Sequence, residues 1–333
     1  MADDIELRSA RFRREREGAW QKLEVLVAQA ERQRRLSPEE LRALPELYRA
    51  SLSSLSVARA ITLDRTLIAY LESLSARAYL VLYAPRLSFW QAMGEFLKSG
   101  FPQSVRHIAG MVWLAMFALA LGTAVGWYLV AVEPGYFLTI VPASLHAGRT
   151  PMMPPEALKA TLYPTYSGFG PALTNLATFL FRNNASVALL AFGLGIALGI
   201  PTLFLMFYNG TITGAFLALF AANGLLVDLS AWLSVHGTTE ILAIVLAGGA
   251  GFAIARGFLF PRPGESRFAS VARDGAAASQ VALGAIMMLF VAAILEGFVR
   301  QLVTDLNARF LIGAAFLALW FAYFAFAGRR HGR

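Results

Sequence analysis

The chain has 333 residues, of which 57% are apolar and only 15% charged, against roughly a quarter charged in soluble domains. Mean hydropathy is +0.56 and the net charge +8, and the apolar residues come in blocks as long as a bilayer core is thick. With no cysteine in the sequence, a disulfide framework and thiol catalysis are excluded.

The opening stretch, MADDIELRSARFRREREG, is charged and lacks an apolar core. No cleavable signal peptide is expected, and insertion begins at the first internal apolar helix. Residues 1–84 read as a cytoplasmic, basic helical region. The run from Ile5 to Arg35 is rich in helix formers, with Leu23, Leu26, Val27 and Ala30 forming one apolar stripe. Ser37-Pro38-Glu39-Glu40 restarts a helix: Ser37 caps it, Pro38 fits the first turn and Glu40 completes a capping box. A third helix, from Ala58 to Leu82, carries Ile61, Leu67, Ile68, Leu71 and Leu74 on its apolar side. Three such helices can bury their stripes against one another, as a solvated bundle or as a docking module. The Arg-rich stretch has few interleaved aromatics, so nucleic acid is not expected as a partner.

Residues 85–107 read as an interfacial amphipathic segment. Phe89, Trp90, Phe96 and Phe101 stand beside Lys98 and Arg106, a pattern suited to the headgroup level of a bilayer. Residues 108–333 form the transmembrane domain, with about six spans near 108–132, 185–207, 211–227, 240–256, 276–295 and 310–327. The connection between the first two is long and rich in Pro and Gly. Its apolar stretch 168–181 can lie in the interface or re-enter the membrane. Asn183-Asn184 reads as the N-cap of the second span and Tyr208-Asn209-Gly210 as a tight turn after it. Only Ile241–Ala255 separates Glu240 from Arg256, so one of these charges must enter the membrane or snorkel. Gly193, Gly195, Gly199, Gly248, Gly249 and Gly251 permit close helix approach, and such small-residue faces also allow a homodimer.

Basic residues give the orientation. Of the 29 Lys and Arg, 24 fall in the N-terminal region, the 256–273 loop and the C-terminal tail, leaving five for the other side. The positive-inside rule places both termini in the cytoplasm. Alternating the spans then brings Asp228, His236, Glu240 and Glu296 near the external face, together with Arg182, Asn183 and Asn184. Ionisable groups at membrane depth are costly and face protein or a wet cavity. His236 and Glu240, four apart, share a helix face if the helix begins at or before His236. A histidine with two carboxylates can ligate a metal, but the spacing is common and no HExxH is present. No metal, cofactor or catalytic residue is therefore assigned. The expected candidates for a binding or structural polar cluster are Asn183, Asn184, Asn209, His236, Glu240 and Glu296.

Arg182-Asn183-Asn184, Tyr208-Asn209-Gly210, His236-Gly237-Thr238-Thr239-Glu240, the Ala247–Gly251 run and Glu296-Gly297-Phe298-Val299 occur in that order. From about residue 85 onward the chain resembles the stage II sporulation protein M family of bacterial integral membrane proteins. The resemblance implies a multi-pass protein of the bacterial inner membrane. The family's sporulation member is a scaffold for peptidoglycan-cleaving enzymes, so the resemblance implies protein partners in an envelope complex. The leading expectation is a non-enzymatic scaffold or assembly factor embedded in the lipid bilayer. The alternatives are a transporter or channel component, which requires a wet route from the external cluster to the turn at Asn209, and an intramembrane hydrolase using His236 and Glu240.

Overall fold

The computed structural model describes residues 2–32, 36–60, 65–83, 88–146, 148–163 and 171–329. Among these there is no strand, and the fold is all-α. The described chain divides into two compact units, Met1–Phe89 and Trp90–Arg333.

The first unit holds α1 (Ala2–Glu31), α2 (Pro38–Ala60) and α3 (Arg65–Tyr83). Leu23, Leu26, Val27 and Ala30 are buried, and so are Leu67, Leu71 and Leu74. They pack with Trp20, Leu44 and Leu55 into one small core. Ile61 lies outside the described residues. The capping box forms as its sequence predicts: the Ser37 N–H donates to Glu40 Oε2 at 2.7 Å and the Glu40 N–H to Ser37 Oγ at 3.2 Å. At the edge of this core Arg77 makes a two-pronged contact with Glu31, at 2.9 and 2.7 Å.

The boundary falls at the first residue of α4 (Phe89–Glu95), and the second unit continues with a π-helical turn (Phe96–Gly100) and α5 (Phe101–His107). Residues 84–87, the start of the expected interfacial segment, lie outside the described residues. Phe89 and Trp90 are exposed, as a headgroup helix requires, but Phe101 is not: it is buried against Phe96, Tyr323 and Phe324, over Gly284.

Six helices are long and apolar enough to cross a membrane. They are α6 (Ala109–Val132), Thr174–Ile196 within α10 and its 3-10 extension, α11 (Ile200–Ala222), α12 (Leu226–Leu259), Arg267–Leu302 (α13, a π turn and α14) and α15 (Leu306–Phe326). The count matches the sequence reading, but the second and third spans are displaced. Helix α10 starts at Pro171, so the part of the 168–181 stretch that is described belongs to a spanning helix; residues 168–170 lie outside the described residues. Asn183 and Asn184 stand in mid-helix and cap nothing. The chain turns not at Tyr208-Asn209-Gly210 but at 197–199, where Leu198 and Gly199 take positive φ. Glycine tolerates that left-handed backbone, and Pro201 then opens α11 in its first turn, where its missing N–H costs nothing. Asn209-Gly210 is a turn signal only in isolation; here Gly210 serves a helix contact.

That contact is the tightest in the bundle. Gly122 and Gly126 on α6 face Gly210 and Gly214 on α11, a Gly-x-x-x-Gly pair on each helix. A Cβ on Gly122 or Gly126 would collide with the carbonyl of Phe207 or Thr211, and one on Gly210 or Gly214 with that of Leu119 or Thr123. The residue numbers rise together, so α6 and α11 run parallel, as a first and a third span must. Gly195 and Gly251 likewise bring α10 onto α12, and Gly249 lies on the Val112 backbone of α6. Of the glycines expected to permit close approach, Gly193 faces open space, whereas Gly195, Gly249 and Gly251 meet backbone within the chain.

The fourth span resolves its two charges by being longer than expected. At 34 residues it is about 51 Å long, against a core of about 30 Å. Glu240 sits about 21 Å from its start, nearly four helical turns in. Arg256, near its end, pairs with the buried Asp274 at 3.0 Å. Arg273 also holds Asp274, at 3.1 Å, and reaches Glu265. The fifth span begins at Arg267, with Ser266 as its N-cap.

Replacing Gly126 or Gly214 by Val should destabilise the bundle by about 1–3 kcal/mol or more, because backbone is the obstacle. Gly193, with nothing within 4 Å of its position for a Cβ, should accept Ala without loss. Thermal melting in detergent would check this; equal melting of all three variants would refute the packing described.

Candidate functional site

Between the helices lies a cavity of about 450 Å³, lined by Asn183, Asn184, Asn209, His236, Glu240 and Glu296 among others. All six polar candidates of the sequence reading thus meet in one place. Asn209 joins them because it stands in mid-α11; the turn expected there would have put it at the opposite end of the bundle.

Each side chain is positioned by its helix. His236 and Glu240 are one turn apart on α12, whose start at Leu226 places both on one helical face. Glu296 lies in a π-helical turn, Leu295–Val299. Such a turn adds a residue to the helical circuit and rotates the facing of the residues beyond it, a device common at functional sites. Asn209 donates its side-chain N–H to the Leu205 carbonyl at 2.8 Å, and the Asn183 amide donates to Asn184 Oδ1 at 3.1 Å.

His236 is 3% exposed and Glu296 5%. Nε2 of His236 is 3.7 Å from Glu296 Oε1, too far for a hydrogen bond. One ligand atom from each of His236, Glu240 and Glu296 can be chosen so that all lie within 4.8 Å of one another. His236 Nδ1 and Glu240 Oε2 are buried and have no hydrogen-bond partner.

The sequence reading missed three parts of this site. Arg300, counted there only as a topology signal, donates to Glu296 Oε1 at 2.8 Å and is itself 6% exposed. Its guanidinium lies over the Trp232 ring at 4.2 Å, and Trp232 stands edge-on to His236 at 5.3 Å. Arg300 follows Glu296 by four and Trp232 precedes His236 by four, so i,i+4 spacing was the available signal for both. Arg149, in the Pro- and Gly-rich connection, also lines the cavity and carried no such signal.

That connection lines one end of the cavity through Leu145, Arg149 and Leu162. It folds into α7 (Tyr136–Ile140), α8 (Ala143–His146) and α9 (Pro155–Ala160). Phe137 packs edge-on against Phe216 at 5.2 Å, and Leu158 and Leu162 are fully covered. Arg149 donates to Thr161 Oγ1 at 2.9 Å; burial, and then the like charge of Arg300, lower its pKa. Lys159 bonds to Asp228 in the first turn of α12 at 2.9 Å, and this partner raises the lysine pKa. Arg309 donates to the carbonyls of Val303 and Arg300, at 2.8 and 3.2 Å, and stacks on Tyr163 at 4.7 Å.

Removing one member of a buried ion pair strands the other. Arg300→Met should cost about 3–5 kcal/mol, whereas the double replacement Glu296→Leu with Arg300→Met should recover much of it. Chemical denaturation in detergent measures both. A single variant as stable as the parent would show that the pair is not buried as described.

A family model described as stage II sporulation protein M matches residues 107–300, and a second, described as a domain of unknown function (DUF8413), matches residues 10–84. No curated protein and no solved structure matches the chain.

Proposed function

The chain belongs to the stage II sporulation protein M family of multi-pass membrane proteins, and we propose from that premise that it is a non-enzymatic scaffold or assembly factor for an envelope complex of the bacterial inner membrane. Its partners are proteins that remodel the cell wall. They are held by the helical unit at the N-terminus and by the cavity end of the bundle. The distribution of Lys and Arg supports cytoplasmic termini, with the 260–266 turn on the same side and the 133–170 connection outside.

The observation that carries this reading is a closed layer beneath the cavity. There Gly195 meets Gly251, Gly251 meets Ala191 and Gly249 meets Val112, backbone to backbone or nearly so. A transporter or channel component needs a wet route through that layer, and a bundle packed on glycine supplies none among the described residues. Hydrolysis at His236 and Glu240 is supported by their convergence with Glu296. Against a hydroxyl nucleophile there, the two hydroxyls among the described lining residues, Tyr208 and Thr213, both donate to main-chain carbonyls, at 3.3 and 3.0 Å.

Glu240→Gln keeps the shape of the side chain and replaces its carboxyl group by an amide. The variant should remain a single species in size-exclusion chromatography yet recover several-fold less cell-wall-remodelling protein when purified from native membranes. Undiminished recovery by the variant, or no such protein recovered with the parent chain, would overturn the proposal.

A further inference from the structure

We infer that His236, Glu240 and Glu296 are the ligands of one divalent transition-metal ion of the zinc class, bound inside the membrane domain with one coordination position open to the cavity. This goes beyond the scaffold reading and does not depend on it.

Three observations converge. The first is distance. Two ligand atoms each about 2.0–2.2 Å from a shared zinc stand roughly 3–4 Å apart. The 3.7 Å between His236 Nε2 and Glu296 Oε1 is too long for a hydrogen bond and fits two atoms sharing an ion. The three candidate atoms lie within 4.8 Å of one another, so a modest rotation of one carboxylate closes the set.

The second is unspent bonding capacity. Buried polar atoms are almost always partnered, and each exception needs an explanation. Glu240 Oε2 is such an exception, and it stands beside a histidine that is 3% exposed. Glu240 offers the lone pairs of Oε2 to whatever occupies the gap. The third is support around the ligands. Arg300 fixes Glu296 at 2.8 Å and is itself held over Trp232, which in turn braces the His236 ring. Outer partners that orient the ligands are typical of metal sites. The site is preformed by rigid helices rather than by loops.

The donor set chooses the ion. Imidazole nitrogen favours zinc and its neighbours over magnesium or calcium, and two carboxylates with one histidine suit a single divalent ion. Three protein ligands beside a cavity of about 450 Å³ leave the fourth position to water or to a ligand atom from a partner.

The test uses the full chain, expressed without a histidine tag and purified in mild detergent. Zinc is measured by mass spectrometry after dialysis against zinc-free buffer, and the stripped protein is titrated with Co²⁺ while its visible absorption is followed. About one zinc per chain is expected, with Co²⁺ giving the intense bands of a four-coordinate site. His236→Gln, Glu240→Gln and Glu296→Gln should each reduce the retained zinc to near zero, while His146→Gln, outside the site, keeps it. If the ligand variants fail to fold, the parent protein decides alone: a stoichiometric Co²⁺ spectrum supports the site. A parent chain that is monodisperse and holds neither zinc nor coloured cobalt overturns the inference. So do folded ligand variants that retain zinc at the parent level.

Discussion

The size of the side chains at the helix contacts determines where this bundle is shut and where it is open. Within a bilayer the hydrophobic effect does not press helices together, because lipid tails are as apolar as leucine. Close packing and polar contacts must hold them instead. Where Gly195 and Gly251 bring α10 onto α12 and Gly249 lies on the Val112 backbone of α6, the helices touch and the layer is closed. Where Asn183, Asn209, His236, Glu240 and Phe216 stand at the same helices' contacts, the axes cannot meet and a cavity remains. The same helices thus build a seal and a pocket, one above the other.

The polar residues depend on that arrangement. An ionised group at membrane depth persists only when protein replaces the water it has lost. Glu296 does so through Arg300, Asp274 through Arg256 and Arg273, and Arg309 through two main-chain carbonyls. These partners lie on different helices or one turn apart, so they pin the ends of the fifth and sixth spans. The lid formed by α7 to α9 adds Arg149 to the cavity and ties itself to α12 through Lys159 and Asp228. In the His236, Glu240 and Glu296 group, Glu240 Oε2 and His236 Nδ1 have no hydrogen-bond partner.

Much of this was legible in the sequence. Bilayer-length apolar blocks gave the six spans, and the stripe at Leu23, Leu26, Val27 and Ala30 with the capping box at Ser37 and Glu40 gave the first helices. Strict alternation of span direction put His236, Glu240 and Glu296 at one end, and they meet. The failures came from reading local signals without tertiary context. Tyr208-Asn209-Gly210 has the chemistry of a turn, yet its glycine is needed for the contact with Leu119, so the helix runs through it. Asn183 and Asn184 resemble a cap, but more than two turns of helix precede them once Pro171 is recognised as the start. The charges at Glu240 and Arg256 suggested a short span because nothing in the sequence reveals that one is sheltered in a cavity and the other paired with Asp274. Arg149 was illegible for a simpler reason: its place depends on the path of a long connection.

The contrast between seal and pocket can be tested directly because the chain has no native cysteine. Single cysteines would replace Asn209, which lines the cavity, and Ala191, which is fully buried in the glycine-packed layer. Each variant would be embedded in right-side-out membrane vesicles and treated with a water-soluble, impermeant thiol reagent. The account predicts labelling at position 209 from outside and none at position 191. Equal labelling at both positions, or none at 209, would contradict it.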